Sequence, residues 1–121
     1  MDCYCDFEPP IFYRRAMPVA RKQHRCHECG HAIAPGEKYE RVRALWERGQ
    51  SPQTIHTCPR CLALRDYAKD NLPCFCEAHG NLIEDAMEAI REYAHELPGM
   101  LFHAYRLRVA ISRGPKVKEA A

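Results

Sequence analysis

Apolar positions change period along the chain, and the changes predict an order of elements. From Lys38 to Trp46, Tyr39, Val42, Leu45 and Trp46 stand among polar residues, and Gln53 to Thr57 resumes after the loop sequence Arg48-Gly49-Gln50-Ser51-Pro52. This predicts a β-hairpin whose imperfect alternation leaves room for a bulge. Leu62, Ala63, Leu64 and Tyr67 then give a short helical face. Pro59 stands where a first helical residue needs no N–H, and Asn71-Leu72-Pro73 supplies the stop. Ile83, Met87, Ile90, Tyr93, Ala94 and Leu97 repeat at helical spacing and predict a second helix over 82–97. Asn81 with Glu84 three residues on reads as its capping box. Pro98-Gly99 breaks that helix. In Met100 to Ser112, Tyr105, Leu107, Val109 and Ile111 alternate as in a strand, whereas length and flanking glycines suit a helix, which is the expectation here.

The two ends lack such periodicity. Residues 1–25 contain Pro9-Pro10 and Pro18, with Ile11, Phe12, Tyr13 and Met17 at no regular spacing, and read as an extended arm docked on the body. Beyond Gly114 a disordered tail is expected. The 121 residues amount to about one domain with a modest core. It divides into an arm (1–25), a metal-binding module (26–72), a helical segment (73–113) and a tail (114–121). No repeat or low-complexity tract interrupts it.

Cysteine spacing supplies what the small core lacks. Cys26-His27-Glu28-Cys29 precedes the predicted hairpin, and Cys58-Pro59-Arg60-Cys61 opens the first predicted helix, 28 residues later. CxxC lets two thiolates grip one metal from a tight turn, and a helix N-terminus favours thiolate through its dipole. Knuckle, hairpin and helix in that order predict an α+β fold built on a treble-clef-like zinc site of Cys26, Cys29, Cys58 and Cys61. The competing reading, a thioredoxin-like redox motif, needs a βαβ pattern that surrounds neither pair. Cys3-Tyr4-Cys5 and Cys74-Phe75-Cys76 offer a second zinc site tying the arm to the turn between helices. His79 is a competing ligand there, and free thiols or a labile disulfide are the alternatives. His24, His27, His31 and His56 are expected as non-ligands while four cysteines are at hand. His95 and His103 read as ordinary polar positions on helix faces.

Charge changes the picture by its distribution, since the net value is only +2. Arg14, Arg15, Arg21, Lys22 and Arg25 occur in residues 11–25 without an acid, and Arg106, Arg108, Arg113, Lys116 and Lys118 in residues 100–118 likewise. Glu84, Asp85, Glu88, Glu92 and Glu96 form an acidic face between them. Arg14, Arg15, Arg21, Lys22, Arg41 and Arg43 are candidate phosphate contacts, with Tyr13, Tyr39 and Trp46 as stacking rings. Glu37, Glu40 and Glu47 dilute that hairpin. No enzyme is expected: the hairpin lacks the Asp and Asn that a His-metal nuclease would add to His56, and four cysteines close a zinc site to substrate. Met1-Asp2-Cys3 does not begin a signal peptide and no apolar run approaches about 18 residues, so a cytoplasmic protein without membrane contact is expected.

The run Arg25-Cys26-His27-Glu28-Cys29-Gly30 through Ile33-Ala34-Pro35-Gly36-Glu37-Lys38-Tyr39-Glu40-Arg41-Val42, followed by Thr57-Cys58-Pro59-Arg60-Cys61-Leu62-Ala63-Leu64-Arg65, resembles small cysteine-rich proteins of bacteriophages and prophages. The resemblance covers about residues 3–76 and implies the cytoplasm of an infected or lysogenic bacterium. It implies no catalytic residue. Two functions follow as expectations. One is binding to a host protein or complex, such as a CRISPR complex or nuclease whose defence it would block. The other is a zinc finger that binds DNA or RNA.

Overall fold

The computed structural model describes residues 10–76, 79–95 and 98–118. Among these residues five strands precede three helices: β1 (Phe12–Ala16), β2 (His24–Arg25), β3 (Ala32–Ile33), β4 (Glu40–Leu45), β5 (Gln53–Thr57), α1 (Pro59–Asn71), α2 (Leu82–Tyr93) and α3 (Pro98–Ser112). The predicted α+β class is the one observed. β1, β4 and β5 form an antiparallel sheet with β4 central, and β2 pairs with β3 as a separate short hairpin. Part of the expected arm is therefore a strand, held to β4 from Phe12 opposite Leu45 to Ala16 opposite Arg41.

Strand alternation gives the three-stranded sheet two unlike faces, because successive side chains point to opposite sides. Inward go Glu40, Val42 and Ala44 from β4 with Ile55 and Thr57 from β5, all buried. Val42, Ala44 and Ile55 form a small apolar cluster. Glu40 is fully buried beside it, gripped by Arg65 of α1 through Nη1 at 2.9 Å and Nη2 at 2.6 Å, while Arg15 Nε of β1 donates to the same carboxylate at 2.6 Å. Burial pushes the Glu40 carboxyl up, but the hydrogen bonds and charge of Arg65, with the charge of Arg15, outweigh it and hold the pKa below the usual range. This ion cluster ties the sheet to α1.

The larger core lies among the helices and the cysteine knuckle. Leu64 and Ala68 of α1, Leu82, Ala86, Met87 and Ile90 of α2, and Met100, Ala104 and Ile111 of α3 meet there with Ile33 and Tyr39. Those positions repeat every three or four residues, so each helix turns one stripe inward. Residues 100–112 are helical, as length favoured over alternation.

Three boundaries differ from expectation. β4 covers Glu40–Leu45 rather than 38–46, and α2 ends at Tyr93, with Ala94 as its C-cap, rather than at Leu97. Residues 114–118, expected to be disordered, lie against the first hairpin. Ala32 N–H donates to Pro115 O at 2.8 Å, and Gln23 exchanges two hydrogen bonds with the Lys118 backbone at 2.9 and 3.0 Å.

Candidate metal centre

Two turns deliver the four cysteines. The β2–β3 hairpin is itself the knuckle: Cys26 N–H donates to His31 O at 2.9 Å and Gly30 N–H to Cys26 O at 3.0 Å, closing a tight loop. Gly30 takes a φ of 77°, a left-handed conformation that side chains disfavour. The second pair lies on the first turn of α1. Cys58 is the N-cap, its sulfur accepts from Cys61 N–H at 3.4 Å, and Pro59 takes the first helical position. Cys58 N–H donates to Cys26 Sγ at 3.3 Å, which joins the two halves by their ligands.

The resulting cluster fits a metal. All four sulfurs lie within 4.8 Å of one another, with Cys26 to Cys61 at 3.8 Å and Cys29 to Cys58 at 3.7 Å. An ion bonded to sulfur at about 2.3 Å places tetrahedral ligands about 3.8 Å apart. Glu28 N–H donates to Cys26 Sγ at 3.4 Å, the N–H···S pattern that steadies thiolate ligands. Cys26, Cys58 and Cys61 are buried and Cys29 is half-buried. Four sulfurs so close do not all ionise without a cation. Hydrogen bonds from Cys29, Cys58 and Cys61 hold Cys26 well below an ordinary thiol, and its thiolate pushes Cys58 and Cys61 up. A divalent ion displaces the remaining protons and neutralises the repulsion.

The residues between each cysteine pair fasten the centre to the rest of the chain. Glu28 Oε1 accepts from Gly80 N–H at 2.7 Å and Oε2 from Leu82 N–H at 3.0 Å, so the knuckle supplies the carboxylate at the N-terminus of α2. The expected Asn81–Glu84 capping box is absent: Asn81 makes no side-chain cap bond and turns its amide to Asp85 Oδ1 at 3.0 Å. Arg60 donates to Glu37 Oε2 at 2.8 Å and to Ala32 O at 3.2 Å, tying α1 to the segment between the hairpins. Its guanidinium lowers the Glu37 pKa, outweighing burial, which pushes it up.

The other candidate ligands stand apart from this cluster. Cys3 and Cys5 lie outside the described residues. Cys74 and Cys76 bring their sulfurs to 4.0 Å, and both are engaged by further partners. His79 turns its Nε2 to the Tyr13 hydroxyl at 2.9 Å. His24, His27 and His56 form a ring cluster beside the centre, with centroids 4.6 Å apart for His24–His56 and 5.8 Å for His27–His56. Burial first, and then the charges of His24 and His27, lower the His56 pKa.

The six candidate phosphate contacts separate by strand face. Arg14, Arg41 and Arg43 project from the outer face of the sheet, where Arg14 stands directly opposite Arg43. Arg43 Nη1 reaches Thr54 Oγ1 at 3.4 Å; Arg14 and Arg41 make no ion pair among the described residues. Arg15 is on the inner face with Glu40, and Arg21 and Lys22 are exposed in the turn between β1 and β2. Of the expected stacking rings, Tyr39 is buried beside His24, whereas Tyr13, turned to His79, and Trp46 are both exposed. Sequence reasoning missed Glu28, Glu40 and Arg60. Only Glu40 left a signal, its two-residue spacing from Val42 and Ala44.

No family model, curated protein or solved structure matches this chain. Among the described residues, no helix is long and apolar enough to cross a membrane.

Proposed function

We propose that the chain is a non-enzymatic, zinc-stabilised binding module that engages nucleic acid through the outer face of its three-stranded sheet. Zinc suits four thiolates at tetrahedral spacing, and a site closed by four protein ligands holds shape and leaves no position for substrate. The observation carrying the nucleic-acid reading is Arg14 directly across from Arg43, with Arg41 two residues along and no acid among the described strand residues of that face. Like charges directly opposed destabilise a sheet, and a polyanion laid over them reverses that cost.

The test is fluorescence anisotropy of the zinc-loaded chain on labelled oligonucleotides across a salt series. Affinity is expected to fall steeply with salt. The Arg14→Ala, Arg41→Ala, Arg43→Ala triple variant is expected to flatten the log–log slope by about two to three. Arg15→Ala should leave the slope as it is. A triple variant with unchanged affinity and slope overturns the reading.

A second reading, binding to a host protein, is supported by the acids of α2, since Glu84, Asp85, Glu88 and Glu92 are all exposed. Such a face imitates phosphate toward a basic partner, for instance a host defence nuclease or CRISPR complex in a phage-infected bacterium. It would keep its partner in the arginine triple variant and lose it when those acids are neutralised.

A further inference from the structure

Rings bracket the arginines on the outer sheet face. Phe12, on the same side of β1 as Arg14, stands opposite Leu45 at one end of the sheet. Trp46, one residue past Leu45 and 37% exposed, falls by strand parity on the side of Val42 and Ala44, so it lies at the edge of this face and is not one of its rings. At the other end His56 stands opposite Arg41 on the outer side, with the His24 ring 4.6 Å and the His27 ring 5.8 Å from its own. The order across the face is ring, guanidinium pair, guanidinium, ring cluster.

That order matches a nucleic acid strand whose phosphates and bases are both accessible. Three strands about 4.8 Å apart span about 10 Å between the outer backbones before any side chain is added. A duplex major groove is about 12 Å wide and admits a helix or a two-stranded ribbon, so this sheet cannot enter one face-on. Against a duplex exterior the arginines would meet phosphate while Phe12 and His56 met nothing, because the bases are turned inward. A single strand splays its bases onto rings and lays its phosphates on cations.

We infer that the ligand of the outer face is single-stranded nucleic acid, with bases stacked on Phe12 at one end and on the His56 cluster at the other. The inference rests on the nucleic-acid reading above and narrows it. The backbone bond from His27 N–H to His56 O at 2.9 Å and the bond from His56 N–H to the His27 ring Nδ1 at 3.0 Å do not involve the His56 ring, so removing that ring leaves the knuckle contact in place.

The experiment uses the zinc-loaded full chain with four probes: labelled dT12, labelled U12, a labelled 12-base-pair duplex, and inorganic polyphosphate as competitor. Trp46, the lone tryptophan, gives a second readout through quenching by unlabelled strands. Either single strand is expected to bind about tenfold or more tighter than the duplex and to quench Trp46. The dT12 and U12 arms tell DNA from RNA. Phe12→Ala and His56→Ala should each weaken the strand by about fivefold or more, and polyphosphate not at all. Phe12→Tyr, which keeps a ring, should bind like the parent and covers the case in which Phe12→Ala fails to fold. If the duplex binds as tightly, or the ring variants leave the strands unaffected while the arginine triple variant abolishes binding, the single-strand inference falls and the electrostatic reading stands. If no probe binds, both fall.

Discussion

The two faces of one small sheet treat arginine in opposite ways. On the inner face Arg15, joined by Arg65 from α1, closes on a buried carboxylate with every contact under 3 Å. On the outer face, one residue away on the same strand, Arg14 stands opposite Arg43 with no acid paired to it among the described residues. Composition cannot distinguish these arginines, since both strands are rich in them. Strand parity does, and it separates charge used to join elements from charge left available to a ligand.

β5 runs straight into Cys58 and α1 starts there, so of all changes the loss of a metal held by the four cysteines is expected to have the largest effect. Structural zinc in small modules contributes on the order of 10 kcal/mol of binding free energy to folding. Chelation, or Cys26→Ser with Cys58→Ser, is expected to abolish cooperative unfolding in circular dichroism and nucleic-acid binding together. Affinity for zinc should fall as pH falls, because the raised Cys58 and Cys61 thiols keep their protons until the ion displaces them. Metal-free protein that keeps a sharp thermal transition would sever the centre from both faces.

The next effect isolates the inner face. Glu40→Gln removes the charge between two guanidinium groups, one of them buried, and breaking a buried pair costs about 3–5 kcal/mol. The sign with pH follows from a folded-state pKa held below the unfolded value near 4.3. Stability from Glu40 is fully present above that unfolded value and is lost as pH falls through the folded one. Urea denaturation from pH 7 to pH 3 should show a steep acid loss in the parent that is flatter in Glu40→Gln. Equal stability at neutral pH would mean the inner cluster joins nothing.

How legible these features were depends on the distance over which each is set. The cysteine pairs, the Pro59 helix start and the full extent of β5 are fixed by neighbours in sequence, and spacing alone found them. Glu40 was read as diluting a basic hairpin because alternation was followed through Tyr39, Val42 and Leu45. The small Ala44 carries the true inward parity, and an alanine marks a face weakly. Glu28 was unreadable for another reason: its acceptors serve backbone groups 52 and 54 residues away, and no local pattern encodes that contact. Asn81 and Glu84 fit the local rule for a helix start, but the Asn81 amide turns to Asp85 and the knuckle carboxylate serves the neighbouring Gly80 and Leu82 N–H groups instead.

That contact predicts an effect of intermediate size. Glu28→Ala leaves two N–H groups at the start of α2 without their acceptor, a loss of about 1–2 kcal/mol by the usual value of a charged cap. Hydrogen exchange should rise at the first turn of α2 while the two sheet faces keep their protection. Zinc stoichiometry should stay unchanged, since the ligands remain. If exchange rises equally across the sheet, the knuckle is holding the whole domain and not one helix end.

The smallest effect is the most discriminating, because it has the opposite sign. Arg14→Thr removes a charge directly across from Arg43 and places a good strand former at an exposed position. Relief of a like-charge pair is worth about 0.2–1 kcal/mol, so the variant should be more stable than the parent while binding nucleic acid less tightly. Arg14→Lys, which keeps the charge, separates the two contributions: it should show no gain. High salt should shrink the difference between Arg14→Thr and the parent by screening the parent's repulsion. A position where removing a residue stabilises the fold and weakens its ligand is one retained for binding, and the buried Arg65, on the inner face, should behave in the reverse sense. If Arg14→Thr destabilises the chain instead, Arg14 is structural and the outer face loses its claim to a ligand.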